Sequence, residues 1–117
     1  MSNEAELDRV FKALANATRR AICDELKRRP LTTGQLVACF PEIDRTTVMM
    51  HLRVLERAGL LASVRKGRER FNYLDAMPIQ EIHARWIGPH AAAASQKLLG
   101  LKRELEATGQ KEKQRSP

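Results

Sequence analysis

The sequence predicts a mainly α-helical chain with one small β-hairpin, arranged as a winged helix-turn-helix that dimerises through its N- and C-terminal helices. Three observations predict it. Between Thr32 and Gly59 two short helical patterns flank a tight turn. From Leu60 to Leu74 two strand-like runs enclose a basic, glycine-containing turn. On either side of this block run apolar stripes too long for a chain of 117 residues to bury by itself.

The N-terminal helix carries Leu7, Val10, Phe11 and Leu14 as an apolar stripe, with Glu4, Glu6, Asp8, Arg9 and Lys12 solvated. Asn16 is placed to cap a second helix that runs through Leu26 and turns Ile22 and Leu26 inward. Thr32 opens the next helix as half of a capping box with Gln35, flanked by Leu31 and Leu36 as a hydrophobic staple. A turn at Phe40-Pro41-Glu42-Ile43 leads to Asp44, the N-cap of a helix from Arg45 to Ala58 that stops at Gly59. Val48, Leu52 and Leu55 recur at helical spacing and pack. Arg45, Thr46, Thr47, Met49, Met50 and Arg53 are thereby left on other faces, in a helix of the size that enters a major groove.

Leu60 to Val64 and Arg70 to Leu74 then read as strands joined through Lys66-Gly67-Arg68-Glu69, a wing spanning 61–74. Alternation puts Phe71 and Tyr73 on one face, expected to pack, and Arg70 and Asn72 on the other. Arg65, Lys66, Arg68 and Arg70 against Glu69 make a phosphate-seeking finger. The same charges would also keep a solvated edge strand from aggregating, but directly after a capped helix-turn-helix DNA contact is the expected role.

Beyond the wing, Pro78 marks a helix start, and Ile79, Ile82 and Trp86 form a stripe that resumes after Gly88-Pro89 with Ala94, Leu98, Leu101 and Leu105. Pro89 is expected to break or kink the helix. The expected dimer interface is Leu7, Val10, Phe11, Ile79, Ile82, Trp86, Leu98 and Leu101. One domain over 1–106 is expected, followed by a polar, disordered tail over 107–117.

Composition narrows the partners. The net charge of +7 favours a polyanion, with double-stranded DNA the natural candidate. At 43% apolar the chain supports one modest core and no catalytic domain beside it. No apolar run approaches a membrane span, and the polar, acidic start Met1-Ser2-Asn3-Glu4 is unlike a signal peptide, so a cytoplasmic location without membrane contact is expected.

Leu14-Ala15-Asn16-Ala17-Thr18-Arg19-Arg20-Ala21-Ile22 resembles the opening motif of ArsR-type transcriptional regulators, and Val48 through Leu61 resembles the family's recognition-helix motif. The resemblance runs from Leu7 to Leu105 and implies a homodimer that presents two recognition helices to half-sites of a pseudo-palindromic operator, most simply as a repressor. His51 matches a motif position and joins the candidate DNA contacts, although a lone helix histidine is more often structural than a base reader. Met49 and Met50 stand where the family usually has small polar or amide residues, so they either touch thymine methyls or fill a packing gap.

Many such regulators respond to metals, and the ligands for that are sparse. Cys23 and Cys39 are sixteen residues apart without a Cys-x-Cys or Cys-x-x-Cys pair, and both read as small core filler. His83 and His90 flank the Gly-Pro break, which spoils a shared helix face. No cofactor and no metal site are expected, and the segment Pro78 to Ile87 resembles the metal-independent branch of the family. A metal- or redox-responsive repressor using Cys23 and Cys39 or His83 and His90 is the alternative within the family. Outside it stands a protein-interaction module docking through Met49 and Met50, against which the basic wing argues. No catalytic grouping is evident: the chain lacks a Ser/His/Asp or Cys/His constellation on predicted loops and a phosphate-binding glycine loop.

Overall fold

The computed structural model describes residues 3–88 and 90–115, with side chains through residue 109. The elements run α1 (Glu4–Leu14), α2 (Ala17–Leu26), β1 (Leu31–Thr32), α3 (Thr33–Cys39), α4 (Arg45–Arg57), β2 (Leu61–Lys66), β3 (Glu69–Leu74), α5 (Met77–Trp86) and α6 (Ala91–Arg115). The chain divides into two units, one ending at Gln80 and the other beginning at Glu81. That boundary falls inside the single domain expected over 1–106. Its physical reason is that the first unit closes a core by itself, whereas no residue of α5 is buried.

In the first unit each helix start is fixed by a local side chain. Asn3 Oδ1 accepts from the Glu6 N–H at 2.8 Å and Asn16 Oδ1 from the Arg19 N–H at 3.1 Å. The expected capping box is present in both directions, Gln35 N–H to Thr32 Oγ1 at 3.1 Å and Thr32 N–H to Gln35 Oε1 at 2.9 Å. Helices α1, α2 and α3 all pack against α4. The centre of the core is Ala13, Ile22, Leu36, Val48, Leu55 and Leu60, all at 0% exposure. Each fully buried Val, Leu or Ile side chain there contributes about 1.5–3 kcal/mol relative to an exposed one.

The sheet has three strands in the order β1-β3-β2, both pairings antiparallel. The two-residue β1 escapes sequence reading, and it changes which face of the hairpin is inside. Leu31 pairs with Asn72, and Asn72 Nδ2 donates to Leu31 O and Thr33 Oγ1, each at 3.2 Å. Asn72 is therefore buried, while Phe71 and Tyr73, expected to form the packed face, are only half-buried on the opposite side. An amide with two fixed acceptors tolerates burial, so polarity alone misassigns the face.

Two further expectations change. Val10 is buried within its own subunit, because it falls on the same face of α1 as Ala13, one turn away; it is not available to a partner. Cys39 is exposed rather than core filler, since Leu36 and Phe40 take the buried positions at the end of α3.

In the second unit, α6 extends to Arg115, well into the stretch 107–117 expected to be disordered. Lys, Glu, Gln and Arg are good helix formers, and extending an existing helix avoids the nucleation cost of a new one. Leu98, Leu101 and Leu105 share one face of α6 and are 67%, 53% and 65% exposed. The break expected at Pro89 lies outside the described residues.

Candidate nucleic-acid interface

The geometry of α4 is set at both ends. Asp44 Oδ1 accepts from the Thr47 N–H at 2.9 Å. Hydrogen bonds from Thr47, side chain first and backbone second, hold the Asp44 carboxyl below the usual aspartate range, so the cap is ionised at neutral pH. A carboxylate there also faces the positive end of the helix dipole. At the C-terminus the Gly59 N–H reaches Glu56 O at 3.0 Å and the Leu60 N–H reaches Leu55 O at 3.0 Å, a Schellman motif. Gly59 takes φ +80°, the left-handed conformation that motif demands.

Between those ends the helix is two-faced. Val48, His51, Leu52 and Leu55 are buried. Arg45, Thr46, Met50 and Arg53 are exposed, with Thr47 and Met49 half-buried. Positions i, i+1, i+4, i+5 and i+8 put Arg45, Thr46, Met49, Met50 and Arg53 on a single stripe, the breadth a helix presents to a groove. Met49 lines a small cleft with Thr33, Leu52, Arg53 and Arg70, so part of its surface fills space beside the hairpin.

His51 takes the structural one of its two expected roles, and its place among the candidate DNA contacts is corrected. It is 6% exposed, and its Nδ1 lies 3.1 Å from an Arg19 terminal nitrogen. Guanidinium nitrogens only donate, so Nδ1 carries the lone pair and the ring proton sits on Nε2. Burial first, then the Arg19 charge, hold the His51 pKa below its ordinary value and keep the ring neutral. His51 faces the core and is not a DNA contact. The same Arg19 donates from Nε to Ala13 O at 2.6 Å and from its other terminal nitrogen to Lys12 O at 3.1 Å. One guanidinium thus closes the C-terminus of α1 and anchors α4 to it. Sequence reading misses Arg19 because its partners lie on two other helices.

The hairpin turns through Gly67 and Arg68, with Gly67 at φ +64° as a two-residue turn requires. Arg65, Lys66 and Arg68 are exposed at or next to the tip. The Lys66 ammonium lies 5.5 Å from the Phe71 ring centroid, so its stem is steered along the outer face. Arg70 is exposed but engaged, donating from Nε to Ser63 Oγ at 2.9 Å and standing 3.9 Å from Glu56 Oε1.

The other candidate residues sit elsewhere. Leu7 and Ile82 are half-buried; Phe11, Ile79, Trp86, Leu98 and Leu101 are exposed. Cys23 is half-buried and its thiol pKa is pushed up, by burial and then by the neighbouring Asp24 charge, which makes it a poor nucleophile. His83 and His90 are exposed. Among the described residues no group of three or more His, Cys, Asp or Glu is placed to hold a metal ion, and no helix is long and apolar enough to cross a membrane.

A capped helix with an exposed mixed stripe, beside a basic two-stranded wing, defines a winged helix-turn-helix protein of the transcription-regulator class. A family model for a helix-turn-helix domain matches residues 14–64. The uncharacterized HTH-type transcriptional regulator YuzN of Bacillus subtilis is 38% identical over 86 residues, 68% of this chain and 94% of that protein. The transcriptional repressor SdpR of the same organism is 32% identical over 75 residues, 64% of this chain and 82% of its own. An ArsR-like transcriptional regulator from Rhodococcus sp. RHA1 superposes with a TM-score of 0.64 at 31% identity, covering 86% of this chain and 92% of that one. The homodimeric winged helix-turn-helix DNA-binding domain Mb0332 of Mycobacterium bovis (fragment 1–100) gives 0.60 at 25%, covering 68% and 73%. The chain belongs to the ArsR family of helix-turn-helix transcriptional regulators.

Proposed function

We propose that this regulator is a homodimeric repressor whose two α4 helices read successive major grooves of a pseudo-palindromic operator while the wings hold the backbone. The observation that carries the reading is the juxtaposition, in one unit, of the exposed α4 stripe with the cationic tip of the hairpin. In this reading Arg45, Thr46, Thr47, Met50 and Arg53 meet base edges and flanking phosphates, Met49 contributes its exposed edge, and Arg65, Lys66 and Arg68 neutralise phosphates. SdpR is a repressor and the Mb0332 domain a homodimer, which supports both halves of the proposal.

The dimer contacts are assigned in this reading to large apolar residues whose side chains stay exposed in one chain. Phe11 on α1, Ile79 and Trp86 on α5, and Leu98 and Leu101 on α6 are 45%, 37%, 56%, 67% and 53% exposed. A second copy would cover these residues in each unit, together with the half-buried Leu7 and Ile82. The protein works in this reading without catalysis and without a metal cofactor. Binding isotherms with duplex DNA from upstream of its own gene test the proposal. Saturable binding of a dimer to a discrete site, much tighter than to scrambled duplex, is the expected result; equal affinity for both would overturn it.

A further inference from the structure

The four wing cations are not equivalent, and the register says why. Arg65 pairs with Arg70 and Ser63 with Asn72, so all four side chains lie on one face of the hairpin. Asn72 is buried there, which makes this the inward face. Two residues nearer the tip, Arg70 projects across the gap toward α4, is fixed by Ser63 Oγ at 2.9 Å and meets Glu56 Oε1 at 3.9 Å. Glu56 lies on the Arg45–Met49–Arg53 row of α4, in the last turn. A carboxylate therefore stands in line with the stripe proposed to face DNA, at the edge where the duplex backbone would pass between helix and wing.

We propose that Glu56 sets how many phosphates this regulator neutralises: it holds Arg70 as a strut between α4 and the wing and so withholds that cation from the duplex. The proposal rests on the DNA-binding reading above. Glu56 is the positioning residue and Arg70 the group it positions. A carboxylate there repels every phosphate backbone alike, so the effect is on affinity for all duplexes and not on the ranking of sequences. The strut is half-exposed, with side chains at 57% and 45% exposure, so an incoming phosphate can compete with Glu56 once the carboxylate is neutralised.

The test is a cycle of Glu56→Gln, Arg70→Ala and the double variant, titrated against operator and scrambled duplex at several salt concentrations. A phosphate gained per subunit adds about 0.9 to the salt slope, so Glu56→Gln is expected to steepen the slope by up to about 2 per dimer. Affinity should rise by a similar factor on both duplexes. Arg70→Ala alone should flatten the slope less than Arg68→Ala does, and in the Glu56→Gln background it should remove the gain. A Glu56→Gln slope equal to wild type, or a gain that survives Arg70→Ala, would overturn the proposal. In the free protein the Arg70 Nε–H resonance should exchange with water more slowly than that of Arg68, and equal exchange would also overturn it. Should the wild type bind no duplex at all, the DNA reading itself falls and the proposal with it; a wild type that binds while the cycle is flat sinks the proposal alone.

Discussion

Arg19 serves three acceptors on two helices, Ala13 O, Lys12 O and His51 Nδ1. Removing it takes the donor from a buried neutral imidazole and from Ala13 O, while Lys12 O keeps the Ala15 N–H at 3.3 Å, so Arg19→Ala is expected to cost about 1–3 kcal/mol in denaturant unfolding. Arg19→Lys should recover little, because an ammonium cannot match the planar fork. The same contact makes stability pH-dependent. The His51 pKa is depressed in the folded chain, so the unfolded chain takes up the proton first. Stability is intact above the ordinary histidine pKa of about 6.5 and is lost as pH falls through the lowered value. Urea midpoints at neutral and mildly acid pH should drop for wild type and much less for His51→Gln, and equal drops would refute the assignment. Asp44 is held below the ordinary aspartate value by its Thr47 hydrogen bonds, so its contribution is lost only at more acid pH. The burial of His51 was legible after all: Val48, His51, Leu52 and Leu55 stand at i, i+3, i+4 and i+7. That spacing favours the structural reading of a lone helix histidine over the base-reading one. The guanidinium that makes its burial tolerable is 32 residues away and invisible to any local rule.

At the scale of elements, stops and starts written in adjacent residues were readable, and pairings written across the chain were not. The Thr32–Gln35 box, the Asp44 cap and the Gly59 stop each span three or four residues and occur as expected. The inward face of the hairpin was misread because it depends on Leu31, 41 residues from Asn72. The polar composition of the tail serves equally for a solvated helix, which is why α6 runs on to Arg115. Gly59 and Gly100 turn this into a prediction. A Cβ on Gly59 would meet only Pro78 Cγ at 3.9 Å, so space is not the obstacle. The φ of +80° is, and Gly59→Ala is expected to destabilise by about 1–2 kcal/mol. Gly100 lies inside α6 with nothing within 4 Å of its Cβ position. Gly100→Ala should therefore stabilise that helix by about 0.5–1 kcal/mol, read as greater helicity and a higher melting temperature. Opposite signs for one chemical change would establish that backbone conformation, not glycine as such, decides the outcome.

At the scale of the whole molecule, association and the division of labour on DNA each leave a measurable signature. Trp86 is 56% exposed in one chain, so Trp86→Ala should leave the first unit folded and weaken the dimer, by about 2 kcal/mol if the ring is an interface anchor. Sedimentation checks it: a wild type that stays monomeric at micromolar concentration yet binds operator tightly would remove the dimer from the mechanism. Helix and wing then separate by their salt dependence, because phosphate contacts release counterions and base contacts do not. Arg68 stands exposed in the hairpin turn, two copies to a dimer, so Arg68→Ala should flatten the slope of log affinity against log salt by up to about 2. The ranking of DNA sequences should not move. Met50 is 48% exposed on the α4 stripe and carries no charge, so Met50→Ala should leave the slope alone. It should instead reduce affinity for operator by about 1–3 kcal/mol per lost base contact, with little change on scrambled duplex. The two variants thus exchange signatures, one altering salt response at constant preference and the other altering preference at constant salt response. An Arg68→Ala protein that changes preference without touching the slope would place the wing against bases, and a Met50→Ala protein identical to wild type on both duplexes would return Met50 to the role of surface filler.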